Sequence, residues 1–304
     1  MATDAPVIQT IDLRKTYADV EAVRGLNLRV PASSIYGFLG KNGAGKTTTI
    51  KMLLGMVRPS SGEARVFDLP ADGADTGVAI RQRTAFVGED KDLYDGMTVE
   101  EMTRFTASFY PKWRRDLEER YLRAFDLPPH RRVKALSRGM RTKLALLLAL
   151  CRGADLLVLD EPTSGLDPAM TEEVLQALVT HVSRAEATVF FSSHQIAEVE
   201  QIADHVAIVD RGRALVAGAL DDLRERYRRI QLVFDGDAPQ PAFRSPGVER
   251  VRRNGRVLSV LSSAGADGLV DEARALNPVS IDVVSVTLKE IFLDTVAGEN
   301  AVED

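Results

Sequence analysis

Cysteine is nearly absent from this sequence of 304 residues, which contains Cys151 alone. A single cysteine excludes a disulfide within the chain, and its position in the apolar run LALLLALC predicts a buried thiol in a protein of a reducing compartment. Long apolar runs are missing too. The longest has about eight residues, whereas a helix needs about 20 to cross a bilayer. We therefore expect no direct membrane span.

A large excess of positive charge is also missing. The chain has 39 Lys and Arg residues against 44 Asp and Glu residues, and its formal net charge is -5. This balance argues against binding to nucleic acid, and the short basic runs RRVK and RERYRR are interpreted as solvated faces. The first residues, MATDAPVIQT, lack the basic and apolar regions of a signal peptide. A cytoplasmic protein is expected.

What the sequence does contain is a pattern of apolar segments typical of an α/β fold. The runs DLLVLDE and ATVFFSS are continuously apolar, as in parallel strands covered on both faces, and helical patterns between such strands predict a doubly wound core. Residues 25–39 are expected to form a strand pair around the turn at 31–34, and residues 62–88 short strands separated by the loop PADGADTG. Thr98 and Glu101 form a capping-box pattern, which predicts a helix start.

A second, smaller unit is expected after the basic helix at 221–229. The run IQLVF predicts a strand, and Asn254-Gly255 between VERVRR and RVLSVL suits the type I′ turn of a hairpin. Helical patterns follow at 267–276 and in TLKEIFLDTV, with an extended segment at 279–286 between them. We therefore expect residues 1–228 to form one domain and residues 229–304 a small α+β accessory domain.

The run LGKNGAGKTTTI at 39–50 fits the phosphate-binding pattern G-x-x-x-x-G-K-[ST]. Its glycines let backbone N–H groups approach phosphate oxygens, and the following helix adds the partial positive charge of its N-terminus. Lys46 is expected to reach the β- and γ-phosphates, and the Thr47 hydroxyl to ligate magnesium. A chance match occurs in roughly 1% of chains of this length. The expected phosphate-binding residues are Gly40, Lys41, Asn42, Gly43, Ala44, Gly45, Lys46, Thr47 and Thr48.

Two carboxylates follow the apolar run LLVL. Asp160 and Glu161 would lie at the carboxyl edge of a parallel sheet, where ligands bind. Asp160 is expected to hold magnesium, directly or through water, and Glu161 to polarise the attacking water. By itself an apolar run that ends in Asp-Glu is a weak signal, because the same pair also caps helices.

Three further segments strengthen the interpretation of the glycine loop and of the Asp160-Glu161 pair. LSRGM at 136–140 precedes Asp160, SGLD at 164–167 follows it, and FFSSH places His194 at the end of a strand. Singly, Ser137 could cap a helix and His194 could be a surface histidine. In this order and spacing the set resembles the nucleotide-binding subunits of ATP-binding-cassette (ABC) transporters, over about residues 7–220. The resemblance implies a P-loop NTPase cassette: a parallel-sheet core, an antiparallel β subdomain and a helical subdomain.

The resemblance also implies roles for residues outside the glycine loop. Glu161, His194 and Lys46 would be catalytic, with ATP and Mg²⁺ bound. Tyr17 stands where an aromatic residue stacks on adenine, with Val23 nearby, and a core tyrosine is the alternative. Glu89 stands where the family usually has a glutamine that senses magnesium and the membrane subunit. A glutamate there can still accept magnesium, but it adds a negative charge.

The signature sequence of the family usually reads LSGGQ, whereas Arg138 and Met140 replace a glycine and the glutamine here. The resemblance implies that two subunits pack head to tail, with ATP held between Gly40–Thr48 of one subunit and Ser137–Gly139 of the other. The second subunit would be an identical or a related chain. Asp167 would couple the two sites. Arg138 would contact phosphate, ribose, the partner subunit or solvent.

By this resemblance the protein is an ATPase subunit that drives a separate transmembrane permease and lies on the cytoplasmic face of the membrane through that partner. Three features resemble the corresponding segments of exporter ATPases: the glutamate at position 89, the sequence LSRGM and the tail TLKEIFL. The docking region would span residues 90–115, with aromatic side chains that either line a groove or belong to the core: Tyr94, Phe105, Phe109, Tyr110 and Trp113. The alternative is a soluble ATPase of this type that acts on ribosomes or nucleic acid.

Overall fold

The computed structural model describes residues 5–185, 187–264 and 266–299. The chain forms two compact units, Met1–Ala214 and Leu215–Asp304. This division falls earlier than the predicted domain boundary between residues 228 and 229, and that boundary stays a prediction. Of the two predicted domains, residues 1–4, 186, 265 and 300–304 lie outside the described residues.

The first unit contains both strands and helices. They are β1 (Ile8–Tyr17), β2 (Val20–Val30), β3 (Ile35–Gly40), α1 (Lys46–Leu53), β4 (Ser61–Val66), β5 (Leu69–Pro70), α2 (Ala74–Arg83), β6 (Thr84–Val87), α3 (Val99–Ala107), α4 (Arg115–Ala124), α5 (Arg138–Leu150), β7 (Leu156–Asp160), α6 (Pro168–Ala185), β8 (Thr188–Ser193), α7 (Ile196–Ile202) and β9 (His205–Asp210). Strand β10 (Arg213–Ala219) contains the division between the units.

A parallel sheet forms the centre of this unit. Its strands are ordered β9-β3-β8-β7-β6. Every residue of β3, β7 and β8 is buried, which explains why their sequences are continuously apolar. Because β3, β7 and β8 run in the same direction, Gly40, Asp160 and Ser193 all end their strands at one edge of the sheet. The predicted parallel-sheet core is confirmed.

A second, antiparallel sheet has the order β2-β1-β4-β5. The prediction that residues 25–39 form a strand pair is wrong, because β2 pairs with β1 whereas β3 pairs with β8 and β9. The turn at 31–34 carries the chain from one sheet to the other, with Ser33 in the left-handed region at φ 53°. The loop predicted from PADGADTG is also partly wrong, since α2 begins within it. This helix buries only Gly77 and Ile80, so it shows almost no apolar periodicity.

Helices α3, α4 and α5 form the predicted helical subdomain. The capping box at α3 is confirmed, since Thr98 N donates to Glu101 Oε2 over 2.8 Å and Glu101 N donates to Thr98 Oγ1 over 3.2 Å. Helix α5 buries most of its length and packs against both α4 and α6. A single buried helix therefore organises this subdomain.

His181 on α6 is buried, and neither ring nitrogen has a hydrogen-bond partner in the described part of the chain. Burial, together with the positive charge of Arg114, lowers the pKa of His181 to about 4. The unfolded chain therefore binds more protons between this pKa and the ordinary value near 6.5. The folded state should lose stability as the pH falls through this window, and should be unaffected above it.

Replacing His181 with leucine should remove this acid sensitivity. At pH 5 the histidine of the wild type costs about 2 kcal/mol of folding free energy relative to pH 7.5, because the folded state cannot take up its proton. Thermal unfolding at both pH values measures the difference. We expect the midpoint of His181→Leu to fall less on acidification than that of the wild type, and an equal fall in both proteins would contradict the assignment.

The second unit is a four-stranded antiparallel sheet with helices. Its elements are α8 (Leu220–Arg226), β11 (Arg228–Val233), β12 (Val248–Asn254), β13 (Val257–Ser262), α9 (Asp267–Arg274), β14 (Ser280–Ser285) and α10 (Leu288–Glu299), with the strand order β12-β13-β11-β14. Leu269 and Ala273 of α9 pack on Ile230, Leu232 and Val260 of the sheet. The predicted α+β architecture is confirmed.

The predicted hairpin is present, but its turn is displaced by one residue. Asn254 pairs with Val257, so the two central residues are Gly255 and Arg256 rather than Asn254 and Gly255. Only Gly255 has a positive φ, 55°, as in a type II′ turn, whereas a type I′ turn needs two such residues.

Among the described residues, no helix combines the length and the apolar character that a membrane span requires.

Candidate functional site

The glycine loop connects the end of β3 to the start of α1. Gly43 and Gly45 lie in the left-handed region with φ of 82° and 96°. A Cβ atom on Gly45 would lie 2.5 Å from the carbonyl oxygen of Ala22, and one on Gly40 would lie 2.5 Å from that of Val209. Both positions therefore require glycine, which lets the loop lie tightly against neighbouring backbone.

A cavity of about 450 Å³ lies in front of this loop, within the usual size range of ligand pockets. Eight of the nine predicted phosphate-binding residues line it, since Gly40 alone does not. The lining consists of Lys41, Asn42, Gly43, Ala44, Gly45, Lys46, Thr47 and Thr48 together with Ala22, Glu89, Glu161, Ser164 and His194. All three predicted catalytic residues therefore lie at this cavity.

Glu161 contacts both Lys46 and His194 at this cavity. The Nζ atom of Lys46 lies 3.0 Å from Glu161 Oε1, and it donates to the carbonyl oxygens of Gly40 and Lys41 over 2.7 and 3.2 Å. His194 Nδ1 lies 2.8 Å from Glu161 Oε2. Lys46 and Glu161 are only 6% and 7% exposed. The charges of these two side chains are thus largely removed from water. Because the protein interior screens charges less than water does, the interaction between them is strong.

Asp160 lies beneath this cluster rather than at the cavity surface. Ser192 Oγ on β8 donates to Asp160 Oδ1 over 2.6 Å and accepts from Glu161 N over 3.0 Å. Glu161 has a positive φ of 48°, which is uncommon for a residue other than glycine. Sequence reasoning did not identify Ser192, because nothing in the sequence shows that it lies opposite Asp160 in the sheet.

The residues predicted to hold magnesium are Thr47, Glu89 and Asp160. Thr47 and Glu89 are exposed at the cavity and Asp160 is buried. Within the described ranges, no group of three His, Cys, Asp or Glu side chains could hold a metal ion by itself. Mg²⁺ prefers oxygen ligands and is often bound by one or two carboxylates plus phosphates and water. The donor set therefore fits Mg²⁺ bound together with nucleotide phosphates.

Lys91 is a charged neighbour of Glu89 that the sequence did not reveal. Its Nζ atom donates to the carbonyl oxygens of Gly88 and Glu89 over 2.7 and 2.9 Å. Burial lowers the pKa of Lys91, while the negative charges of Asp160 and Glu89 oppose that shift. The extra negative charge of a glutamate at position 89 is thus partly balanced by a nearby ammonium group.

Tyr17 and Val23 do not line the cavity. Tyr17 is 45% exposed, so the alternative that it belongs to the core is wrong, and Lys15 Nζ lies 4.9 Å from the centre of its ring. Val23 is fully buried and lies near Gly45. The structure therefore places Val23 beneath the glycine loop, where it can support the loop but offers no exposed surface to adenine.

The predicted signature residues lie elsewhere on the first unit. Ser137 caps α5, since its Oγ accepts from Met140 N over 3.2 Å. Gly139 is buried against Met170, and the exposed Arg138 lies beside Gly165. Asp167 Oδ1 accepts from Met170 N over 2.9 Å. Residues 137–139 and Asp167 are all absent from the lining of the glycine-loop cavity, so none of them contributes to the cavity of its own chain.

A second cavity, which we call the α3–α5 groove, has a volume of about 360 Å³. Its walls come from the segment after β6 and from α3 and α5, and include Lys91, Leu93, Tyr110 and Leu148. Of the predicted aromatic residues only Tyr110 lines it. Tyr94, Phe105 and Phe109 are exposed and stack edge to face, so they are not core residues. Trp113 is half-buried and donates to Glu118 Oε2 over 2.6 Å.

Comparisons with protein families, with individual relatives and with solved structures all point to ABC transporters. The family model described as "ABC transporter" matches residues 23–164, and a model for an AAA domain matches residues 130–200. The chain is similar to the bacitracin transport ATP-binding protein BcrA of Bacillus licheniformis, with 33% identity over 296 residues that cover 95% of each chain. It is 36% identical over 223 residues to the daunorubicin/doxorubicin resistance ATP-binding protein DrrA of Streptomyces peucetius, which covers 71% of this chain and 66% of that relative.

Solved structures share the fold over 70–72% of the chain. A structure described as the ATP binding subunit of an ABC transporter superposes with a TM-score of 0.64 and 28% identity, and the match covers 72% of this chain and 92% of that one. The dimeric cassette MJ0796, described as bound to ADP and Pi in a post-hydrolysis state, has a TM-score of 0.63 at 20% identity over 70% of this chain and 98% of that one.

Proposed function

Because this chain belongs to the ATP-binding ATPase subunits of ABC transporters, we propose that it powers an exporter whose membrane permease is a separate chain. The observation that most directly supports ATP hydrolysis as its source of power is the contact of Glu161 with both Lys46 and His194 at the glycine-loop cavity. This arrangement joins a phosphate-binding cation to a candidate general base. A chain that only bound nucleotide would not need the second group.

The same contacts suggest how ATP is hydrolysed. The β- and γ-phosphates carry more negative charge than one carboxylate, so they would compete with Glu161 for Lys46. Once Lys46 turns to the phosphates, the carboxylate of Glu161 is free to accept a proton from the attacking water. His194 would hold that carboxylate in place through Nδ1. Mg²⁺, held by Thr47, Glu89 and Asp160, would neutralise charge on the phosphate oxygens.

The position of the signature residues supports a head-to-tail dimer. Ser137, Arg138, Gly139 and Asp167 lie away from the cavity of their own chain, yet Ser137 and Arg138 are exposed beside the N-terminus of α5. A helix N-terminus with a hydroxyl and a guanidinium group is suited to an anion. We propose that these residues complete the ATP site of a second, identical or related subunit, and that ATP binding closes the dimer.

The α3–α5 groove is the proposed docking site of the permease. The segment after β6 joins the two cavities, because Glu89 lines the glycine-loop cavity while Asp90 and Lys91 line the groove. A change at the phosphates could thus move the wall of the groove. The exposed rings of Tyr94, Phe105 and Phe109 lie on the adjoining helix and loop, and such patches mark interaction sites. Docking would hold this ATPase at the cytoplasmic face of the membrane.

Export is proposed from the relatives, whose names refer to bacitracin transport and to daunorubicin and doxorubicin resistance. The resemblance to BcrA extends over the second unit as well as the first, since the match covers 95% of this chain. Transport of an antibiotic or a peptide is therefore the favoured activity. Selection among such substrates would belong to the permease.

Co-purification tests the partner directly. Co-expression with the membrane proteins encoded beside this chain, followed by detergent extraction and affinity capture, should recover a multi-spanning permease. Phe109→Glu should reduce the recovered permease several-fold, because it places a charge in an exposed apolar patch. Ile11→Glu, at another exposed apolar position of the first unit, serves as the control. Recovery of ribosomes or DNA without any permease would contradict the proposal.

A further inference from the structure

Ser192 is completely buried, and both hydrogen bonds of its hydroxyl lead to the candidate catalytic residues. The hydroxyl donates its proton to Asp160 Oδ1 over 2.6 Å and accepts the backbone N–H of Glu161 over 3.0 Å. A hydroxyl has one proton to donate, so this proton is committed to Asp160. Ser192 thereby links two consecutive residues of β7 from the neighbouring strand.

The contact with Asp160 follows from strand register. Asp160 is the last residue of β7 and pairs directly with Ser192 of β8. Asp160 is only 2% exposed, so its carboxylate cannot orient itself by contact with bulk water. The hydrogen bond from Ser192 to Oδ1 therefore restrains the orientation of this carboxylate.

The contact with Glu161 acts on the backbone. Glu161 has φ of 48°, a conformation that a residue with a side chain adopts only when its surroundings hold it there. The hydrogen bond from Glu161 N to Ser192 Oγ is one such restraint. This backbone conformation directs the carboxylate toward Lys46 and His194, which lie 3.0 and 2.8 Å away.

The neighbouring serine makes different contacts. Ser193 is also buried, but its hydroxyl donates to Glu198 Oε2 over 2.7 Å and accepts from Gln195 N over 2.9 Å. It contacts neither carboxylate of the site. The two serines thus differ in their hydrogen-bond partners although they are adjacent in sequence and equally buried.

We infer that Ser192 is a positioning residue for hydrolysis, which sets the Asp160 carboxylate for magnesium and holds Glu161 in its strained conformation. This inference rests on the proposed function of the same site. It predicts that loss of the hydroxyl weakens the response to Mg²⁺ rather than the binding of nucleotide by the glycine loop, since Ser192 touches no residue of that loop in the described contacts.

The test compares Ser192→Ala with Ser193→Ala. In Ser192→Ala we expect kcat to fall roughly 10-fold and the Mg²⁺ concentration for half-maximal activity to rise roughly 10-fold, as for loss of a group that orients a metal ligand. Calorimetry supplies a readout other than activity: ATP affinity in EDTA should match the wild type, while the gain in affinity on adding Mg²⁺ should shrink. Ser193→Ala should keep the wild-type Mg²⁺ dependence.

A third variant separates the loss of the hydrogen bond from a general loss of folding. Ser192→Cys preserves side-chain volume but offers only a weak donor, so it should show the same Mg²⁺ shift in a protein that unfolds near the wild-type temperature. A fall in kcat for both variants with unchanged Mg²⁺ dependence and unchanged calorimetric response would overturn the inference. If the wild type itself shows no Mg²⁺-dependent hydrolysis, the proposed function fails instead, and the two failures are distinguishable.

Discussion

Glu161→Gln should reduce ATP hydrolysis by roughly 10²-fold or more, as expected for removal of a positioned general base. The amide retains the shape of the carboxylate but cannot take a proton from water. Steady-state phosphate release by the purified protein measures the loss. An exposed glutamate on α6 provides the matched control, and Glu172→Gln should hydrolyse ATP at the wild-type rate.

ATP binding should survive this substitution. In the wild type the Nζ atom of Lys46 lies 3.0 Å from Glu161 Oε1, so carboxylate and phosphates compete for the same ammonium group. A neutral glutamine competes less strongly. Titration with a fluorescent ATP analogue should therefore give a Kd equal to or lower than that of the wild type. A large rise in Kd would mean that Glu161 binds nucleotide rather than activating water.

The same variant should accumulate as an ATP-bound closed dimer, because hydrolysis is the step that opens the dimer in the proposed cycle. Size-exclusion chromatography with and without ATP detects this species. Adding Ser137→Arg should abolish the dimer while leaving ATP binding by the monomer nearly intact, since Ser137 does not line the cavity of its own chain. A Glu161→Gln protein that stays monomeric and hydrolyses ATP at the wild-type rate would contradict two proposals. These are the role of Glu161 as general base and the ATP site formed between two subunits.

Lys46→Ala should weaken ATP binding by about 10²-fold, which corresponds to about 3 kcal/mol for loss of charge-assisted hydrogen bonds. Two effects add in this variant. The ammonium group that would face the β- and γ-phosphates disappears, and Glu161 is left buried with its charge no longer balanced by Lys46. That carboxylate would then repel the phosphates. Calorimetric titration with ATP measures the change.

Lys51→Ala is the control for this experiment. Lys51 lies in the last turn of the same helix α1 and is exposed, so its removal changes the net charge equally without touching the cavity. ATP affinity should remain near the wild-type value in this protein. Equal ATP affinity in Lys46→Ala and the wild type would overturn the assignment of the glycine loop.

The sequence identified the residues of the cavity well because their signals are local. The turn of the glycine loop, the start of α1 and the Thr98–Glu101 capping box depend on residues a few positions apart. Backbone conformation and helix capping are decided at that range. The buried strands β7 and β8 could also be predicted from the sequence, since burial on both faces requires an unbroken apolar run.

The predictions from sequence were wrong where pairing between distant strands decides the structure. The segment 25–39 contains two real strands, yet they join different sheets, because a strand pairs with whichever edge its surroundings provide. The hairpin turn moved by one residue for a similar reason, since the register between β12 and β13 places Asn254 opposite Val257. Helix α2 left no periodic signal because it buries so little.

By itself, the sequence determined that this chain has a phosphate-binding loop, two carboxylates at a sheet edge and a histidine after a strand, since each motif is written in contiguous residues. Only the tertiary structure decided that Glu161 contacts both Lys46 and His194, and that Ser192 joins Asp160 to Glu161. These contacts join segments far apart in the chain. Their distances depend on strand order and register, which arise from the packing of the whole sheet.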